Sequence, residues 1–232
     1  MAAPSQKDTH EDGSKTAREF HIEATSTYWL PKDDEEQRRL QRYEGNIVLL
    51  SVRKTLDVQK GMSILNVGCG SDVWNMITEY LNCTYHGYDI VNAINKKLSL
   101  KQFTFNYGNV TKRLPYEDNT FDFVHLRSLV LALDEEHGWP AAINEVIRVT
   151  KPGGMIQVTD CDFQLSKDLS FMSYKVRKAI HTGYISRGQN PNIVTELEKM
   201  ISKHYSVKIV QADYRTCDMS SSTSIAKKFI WD

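Results

Sequence analysis

Apolar and polar positions change rhythm several times along the chain. Beyond Gly61, short β-branched or aromatic runs at 64–67, 84–89, 103–107, 121–126 and 155–159 predict strands. Between them Val73, Trp74, Ile77, Tyr80 and Leu81 share one helical face, and Ala142, Ile143, Val146 and Ile147 share another. Strands alternating with helices predict a parallel sheet covered on both faces. Pro140 suits a helix start, and Lys151-Pro152-Gly153-Gly154 reads as a helix stop followed by a tight turn.

Both ends depart from this rhythm. Leu40, Tyr43, Ile47 and Leu50 form a helical stripe, with Asp33 as its N-cap, Glu36 as a capping-box acid and Pro31 ending an extended run. Residues 1–22 carry few large apolar side chains, so burial cannot offset their ordering entropy and a mobile tail is expected. Past Asp160, Leu169, Met172, Val176 and Ile180 predict one helix. After a break at 188–191, Ile193, Leu197, Met200 and Ile201 predict another. The runs 207–212 and 225–230 are strand-like with no helix between them, which makes them antiparallel neighbours. The expected organisation is a tail (1–22), an N-terminal helical segment (23–60) and an α/β domain (61–232), with a seven-stranded, mostly parallel sheet ending in an antiparallel pair.

Composition narrows the partners. The chain has 232 residues, 41% of them hydrophobic and 25% charged, which fits a globular protein of roughly one domain. Lys plus Arg equals Asp plus Glu at 29 each, so charge gives no reason to expect nucleic acid or an anionic membrane. A small molecule is the expected partner; a protein partner and the oligomeric state stay open. No apolar stretch approaches the roughly 18–20 residues that span a bilayer, and the start is polar. A soluble protein without a secretion signal, in the cytoplasm or nucleus, is expected. The four cysteines and seven histidines are scattered, giving neither a disulfide framework nor a metal site.

The chemistry concentrates at Ile64-Leu65-Asn66-Val67-Gly68-Cys69-Gly70-Ser71-Asp72, a buried strand entering a glycine turn and then a helix. Gly68 and Gly70 let backbone approach a ligand, and the helix start offers unpaired N–H groups. Asp89 ends the second strand about 20 residues on, where a ribose diol needs a two-oxygen acceptor. A dinucleotide site calls for a third small residue near Val73 and Trp74, whose bulk disfavours a pyrophosphate and tolerates a smaller sulfonium nucleoside. No Gly-Lys-Ser/Thr follows the turn, which excludes a P-loop.

In order and spacing these residues resemble the class I S-adenosylmethionine-dependent methyltransferase family, from Tyr28 onward. The resemblance rests on Asn66 to Gly70, Tyr88-Asp89-Ile90, Gly108-Asn109-Val110, Leu114-Pro115-Tyr116, Phe121 to Arg127, and Glu145-x-x-Arg148-Val149-x-Lys151-Pro152-Gly153-Gly154. The run Tyr28-Trp29-Leu30-Pro31-Lys32-Asp33 is similar to the Tyr-x-Leu-Pro-x-Asp start of the fungal secondary-metabolism branch, which includes a regulator. The resemblance implies a Rossmann-like fold, S-adenosylmethionine as cofactor, and a lid formed by 23–60. It also implies cofactor contacts at Tyr28, Asn66, Gly68, Cys69, Gly70 and Trp74, then at Asp89, Ile90, Gly108, Asn109, Val110 and Arg127.

The sequence departs from the family pattern where Asn66 replaces an acid, Ser71-Asp72 replaces Thr-Gly, and Asn109 replaces the acid that receives the adenine amine. Asn109 can still accept through its carbonyl oxygen; Asn66 loses a charge near the cofactor's cationic end. Methyl transfer from a sulfonium needs alignment and water exclusion more than a nucleophilic dyad. His125, Asp160, Asp162, His181 and Tyr184 are the candidate bases, set against packing roles for His125, His181 and Tyr184. Two readings follow: a small-molecule methyltransferase, or a cofactor-binding or degenerate relative that regulates through protein contacts.

Overall fold

The computed structural model describes residues 18–33, 55–57, 60–70, 77, 81–92, 101–162 and 172–214. Its centre is a sheet of five strands: β1 (Ser63–Val67), β2 (Thr84–Asp89), β3 (Phe103–Tyr107), β4 (Phe121–Arg127) and β5 (Thr150–Thr159). Their order is β3-β2-β1-β4-β5, and every pairing is parallel. The order reverses direction at β1, so the carboxyl ends of β1, β2 and β4 flank the crevice where such sheets bind ligands. Described helices are α1 (Gly138–Val149), α2 (Met172–Ile185) and α3 (Val194–Ser202).

Alternation along the strands divides the core into two layers. On one face Leu65, Val67, Tyr88, Val124 and Leu126 pack against Trp139, Ala142, Val146 and Val149 of α1 and Ile193 and Leu197 of the α3 region. On the other, Ile64, Cys69, Ile77, Tyr85 and Phe123 pack with Phe103, Phe105 and Met155. α1 also holds the approach to β4. Glu145 accepts the Leu114 N–H at 2.7 Å, and Arg148 donates to Glu145, Asp118 and the Tyr116 carbonyl at 2.6–2.8 Å. Arg148 keeps the Glu145 carboxyl below its ordinary range. Two motifs far apart in sequence are thus one clamp.

The predicted strands at the centre of the sheet agree with those found to within a residue or so, except β5. It begins at Thr150, and its register with β4 jumps from Phe121↔Thr150 to Phe123↔Met155, so 151–154 bulge outward. Gly153 takes φ +79° there, and a Cβ on Gly154 would lie 2.9 Å from the carbonyl oxygens of Asp122 and Lys151. The expected run 207–212 pairs with no strand among the described residues, and 225–230 lies outside them. The helices expected from Leu40 to Leu50 and from Val73 to Tyr80 also fall outside the described residues, apart from Ile77.

Residues 18–22, inside the expected tail, make polar contacts with the 32–33 corner. Arg18 donates to the Asp33 carboxylate at 2.6 and 3.0 Å, the Glu19 N–H donates to the same carboxylate at 3.2 Å, and the Glu19 carbonyl accepts the Lys32 N–H at 2.6 Å. Composition missed this because polar contacts, rather than apolar burial, hold the segment. The Asp33 carboxylate holds Arg18 and Glu19, and the helix it is expected to cap lies outside the described residues.

The turn after β1 generates a testable ranking. Gly68 has φ +67°, and a Cβ there would come within 2.5 Å of the Leu129 side chain; Gly70 has φ +49° and open space. Gly68→Ala should cost roughly 2–4 kcal/mol in urea unfolding, combining backbone strain with overpacking, and Gly70→Ala only about 1 kcal/mol. Equal losses, or a larger loss for Gly70, would contradict this packing.

Candidate active site

The crevice is built on the turn that links β1 to the chain beyond Gly70. The Gly68 N–H donates to the Tyr88 carbonyl at 2.8 Å, which fixes the turn to the end of β2. Asp89 completes the connection: Oδ2 accepts the Gly70 N–H at 2.8 Å and Oδ1 accepts the Val91 N–H at 2.8 Å. Burial pushes the Asp89 carboxyl up, and these backbone donors together with nearby His21 pull it back down. A carboxylate has about four lone-pair sites, so capacity for a further donor remains. A Cβ built on Gly70 meets nothing within 4 Å, so the backbone beside the acid is open to close approach. A vicinal diol fits that pairing of open backbone and two-oxygen acceptor.

The other expected contacts sort by where their side chains go. The Cys69 thiol is buried and faces the core, where a Cβ on Gly87 would meet its sulfur at 2.9 Å; burial pushes it well above its ordinary range. Only the Cys69 main chain borders the groove. Gly108 leaves room for the buried Tyr88 ring, since a Cβ would lie 2.1 Å from the Tyr88 hydroxyl. Asn109 is engaged by hydrogen bonds inside the protein. Oδ1 already accepts the Thr111 N–H at 3.0 Å and the Thr111 hydroxyl at 2.9 Å, while Nδ2 donates to Thr25 Oγ1 at 3.3 Å. Val110 is buried beside it and Ile90 half-buried next to Asp89. Trp74, with Ser71 and Asp72, lies outside the described residues.

Asn66 and His125 are register partners one row below the turn. Asn66 Oδ1 and both His125 ring nitrogens are buried without a hydrogen-bond partner. Burial drives His125 down to about 4, so it is neutral, and its ring stacks on Phe123. Enclosed in the sheet, it belongs to the core and has no access to an acceptor molecule. Arg127, two residues further along β4, stands at the carboxyl edge and acts electrostatically on Asp160. Of the two alternating acids, Asp160 turns inward and Asp162 is exposed. His181 and Tyr184 share a face of α2; Tyr184 is buried and Asp160 is near enough to help push it up to about 12.

Residues 18–33 cross the carboxyl edge as a strap. Thr25 meets Asn109, Glu23 pairs with Lys112 at 3.2 Å, and the Thr27 hydroxyl donates to the Ala132 carbonyl at 2.8 Å. Trp29 packs against Tyr184 with ring centroids 5.9 Å apart, and the Arg187 guanidinium lies over the Trp29 ring. Tyr28 stacks on His21, whose ring also bonds the Tyr28 carbonyl at 2.7 Å. Sequence reading singled out Tyr28 but missed Thr25, Thr27 and Gln189, short polar residues whose roles depend on partners up to 162 positions away. Among the described residues no group of His, Cys, Asp or Glu could hold a metal ion, and no helix is long and apolar enough to cross a membrane.

Comparison with known proteins gives the family and the fold. Residues 58–213 match the methyltransferase domain family, well over half of the 232-residue chain, and the chain belongs to that family. It is 32% identical over 113 residues to a demethylmenaquinone methyltransferase of Bacillus mycoides, covering 44% of this chain and 46% of that protein. It is 31% identical over 112 residues to phosphoethanolamine N-methyltransferase 3 of Arabidopsis thaliana, covering 45% of this chain and 22% of that protein. The chain thus spans less than half the length of these curated relatives. Phosphoethanolamine N-methyltransferase 2 of Haemonchus contortus, solved in complex with S-adenosyl-L-methionine, superimposes with a TM-score of 0.55 at 16% identity, over 74% of this chain and 41% of that one. That likeness shows the Rossmann-like α/β fold.

His125 supplies a pH signature. Its folded pKa is depressed to about 4 from 6.5, so its contribution to stability is fully present above 6.5 and is lost as pH falls toward 4. His125→Leu should remove about 2–3 kcal/mol of that loss when urea unfolding is compared at pH 7.5 and 4.5. The same pH slope in both proteins would place the ring in solvent.

Proposed function

We propose that this chain transfers a methyl group from S-adenosylmethionine to a small-molecule acceptor. The observation that carries the reading is the open backbone at Gly70 beside an Asp89 carboxylate that is already oriented by the Gly70 and Val91 N–H groups. Asp89 would hold the ribose hydroxyls. The Gly68–Gly70 main chain would border the methionine portion, with Val110 and Ile90 along the adenine side. Asn109 would shape that end through Thr111 and Thr25 rather than touch the base. When bound, the cofactor supplies a methyl on a sulfonium, which is already an activated leaving group. The protein's work is then alignment and exclusion of water. The strap suits the second task, because Thr25, Thr27 and Trp29 tie it to three places along the carboxyl edge.

The finer parts of this reading rest on the sequence. The Tyr28–Asp33 run supports the fungal secondary-metabolism branch, the runs at 207–212 and 225–230 support a sheet completed to seven strands with an antiparallel end, and the neutral, polar composition supports a cytoplasmic or nuclear protein. The acceptor would sit between the strap and α2, beside Trp29 and Tyr184. A second reading, a cofactor-binding or degenerate relative acting through protein contacts, is favoured by Asn66, which carries no charge, and by Asn109, whose hydrogen-bonding capacity is used internally.

Calorimetric titration with S-adenosylhomocysteine separates the two. Micromolar binding that Asp89→Ala weakens at least about 100-fold, with circular dichroism unchanged, is the expected result; loss of that two-oxygen acceptor costs roughly 3 kcal/mol. A folded protein that takes up no nucleoside would refute the enzyme reading, and binding without turnover in a cell extract would favour the regulator.

A further inference from the structure

The crevice has a second wall besides the glycine turn: residues 128–133, which follow β4. This stretch starts with Ser128 in the left-handed region at φ +56°, a conformation that costs a non-glycine residue energy and persists only where its surroundings hold it. Asp160, at the end of neighbouring β5, provides the hold. Its Oδ2 accepts the Leu129 N–H at 2.7 Å and the Val130 N–H at 2.9 Å, and its Oδ1 accepts the Cys161 N–H at 2.8 Å. The Ser128 N–H donates to the Thr159 carbonyl at 3.1 Å beside it.

What this wall touches gives the clamp its consequence. Leu129 packs where a Gly68 Cβ would be, so it presses on the glycine turn. The Leu131 carbonyl accepts from Gln189 Nε2 at 2.6 Å, and the same nitrogen donates to the Thr27 carbonyl of the strap at 3.1 Å. The Ala132 carbonyl accepts the Thr27 hydroxyl. One side of the stretch therefore shapes the groove and the other anchors its cover.

We propose that Asp160 is the positioning residue of the site: its carboxylate holds 128–133 so that Leu129 seats the glycine turn and Leu131 and Ala132 hold the strap, and losing it loosens both walls of the groove. Three of its lone pairs are committed to backbone N–H groups, which suits this role better than proton abstraction from an acceptor. The groups facing it are Arg127 on β4, Tyr184 on α2 and Cys161 just beyond β5. Burial drives the Asp160 carboxyl up to about 7 against the pull of its donors and of Arg127. A protonated carboxyl has a hydroxyl where an acceptor is needed, so the clamp weakens as pH falls through that value.

The part of this inference that concerns ligand affinity rests on the proposed cofactor; the clamp itself does not, and the test separates them. Amide hydrogen exchange on the full chain without ligand should show Leu129 and Val130 exchanging at least about 10-fold faster in Asp160→Ala, with Leu65 and Tyr88 unchanged. Unchanged protection at 129 and 130 overturns the clamp. Wild-type affinity for S-adenosylhomocysteine should then fall roughly 10-fold between pH 8 and pH 6, while Asp160→Asn, weaker at pH 8, shows a flat profile. His21, which faces Asp89, is present in both proteins and cancels from the comparison. An equal slope in the two proteins overturns the link to the groove. Absence of binding at every pH refutes the cofactor reading, and the exchange data still decide the clamp.

Discussion

A strand cannot enter a ligand crevice unless its backbone turns with nothing in the way, and here that requirement falls on Gly68. It has a left-handed conformation, its N–H is tied to β2, and its missing side chain is the space that Leu129 fills. From this contact the remaining geometry follows. Gly70 is carried forward to meet Asp89, its backbone stays open to close approach, and the loop after β4 is drawn in as the opposite wall. Backbone hydrogen bonds and close packing therefore make the site, with few charged side chains spent on it. That suits a reaction in which alignment matters more than acid–base chemistry.

The centre of the sheet was legible because β1 and β4 are buried along nearly their whole length and read as short apolar runs, while the half-exposed β3 was legible from its aromatic residues. The glycine turn and Asp89 were legible because local spacing places them in space. Long-range polar contacts left no such trace. Nothing near Asn109 signals that Thr25, 84 positions earlier, will meet its amide, or that Thr111 will occupy its carbonyl. The segment at 18–22 was grouped with a stretch, 1–22, that carries few large apolar side chains, and Arg18 pairs there with Asp33. Asp160 and Asp162 could be separated only by geometry, since alternation says that one faces inward without saying which.

Polarity within the sheet is the less expected feature. Asn66 and His125 share a row directly beneath the turn, and their buried atoms lack partners inside the protein. An unpaired buried polar group costs about 1–3 kcal/mol, and burial keeps His125 neutral. On the proposed reading the methionine side would rest on an uncharged polar floor, and among the described residues Asp89 would be the acid on the ribose side. Recognition of the nucleoside would depend on its sugar more than on its positive charge.

The central claim is that the groove between Gly70 and Asp89 receives adenosine. A crystal of the full chain soaked with S-adenosylhomocysteine tests it most directly. Density for the ribose within hydrogen-bond distance of both Asp89 oxygens, with the thioether alongside the Gly68–Gly70 backbone, is the result this structure predicts. A nucleoside bound elsewhere, or a groove closed by side chains while the protein is folded, would contradict it.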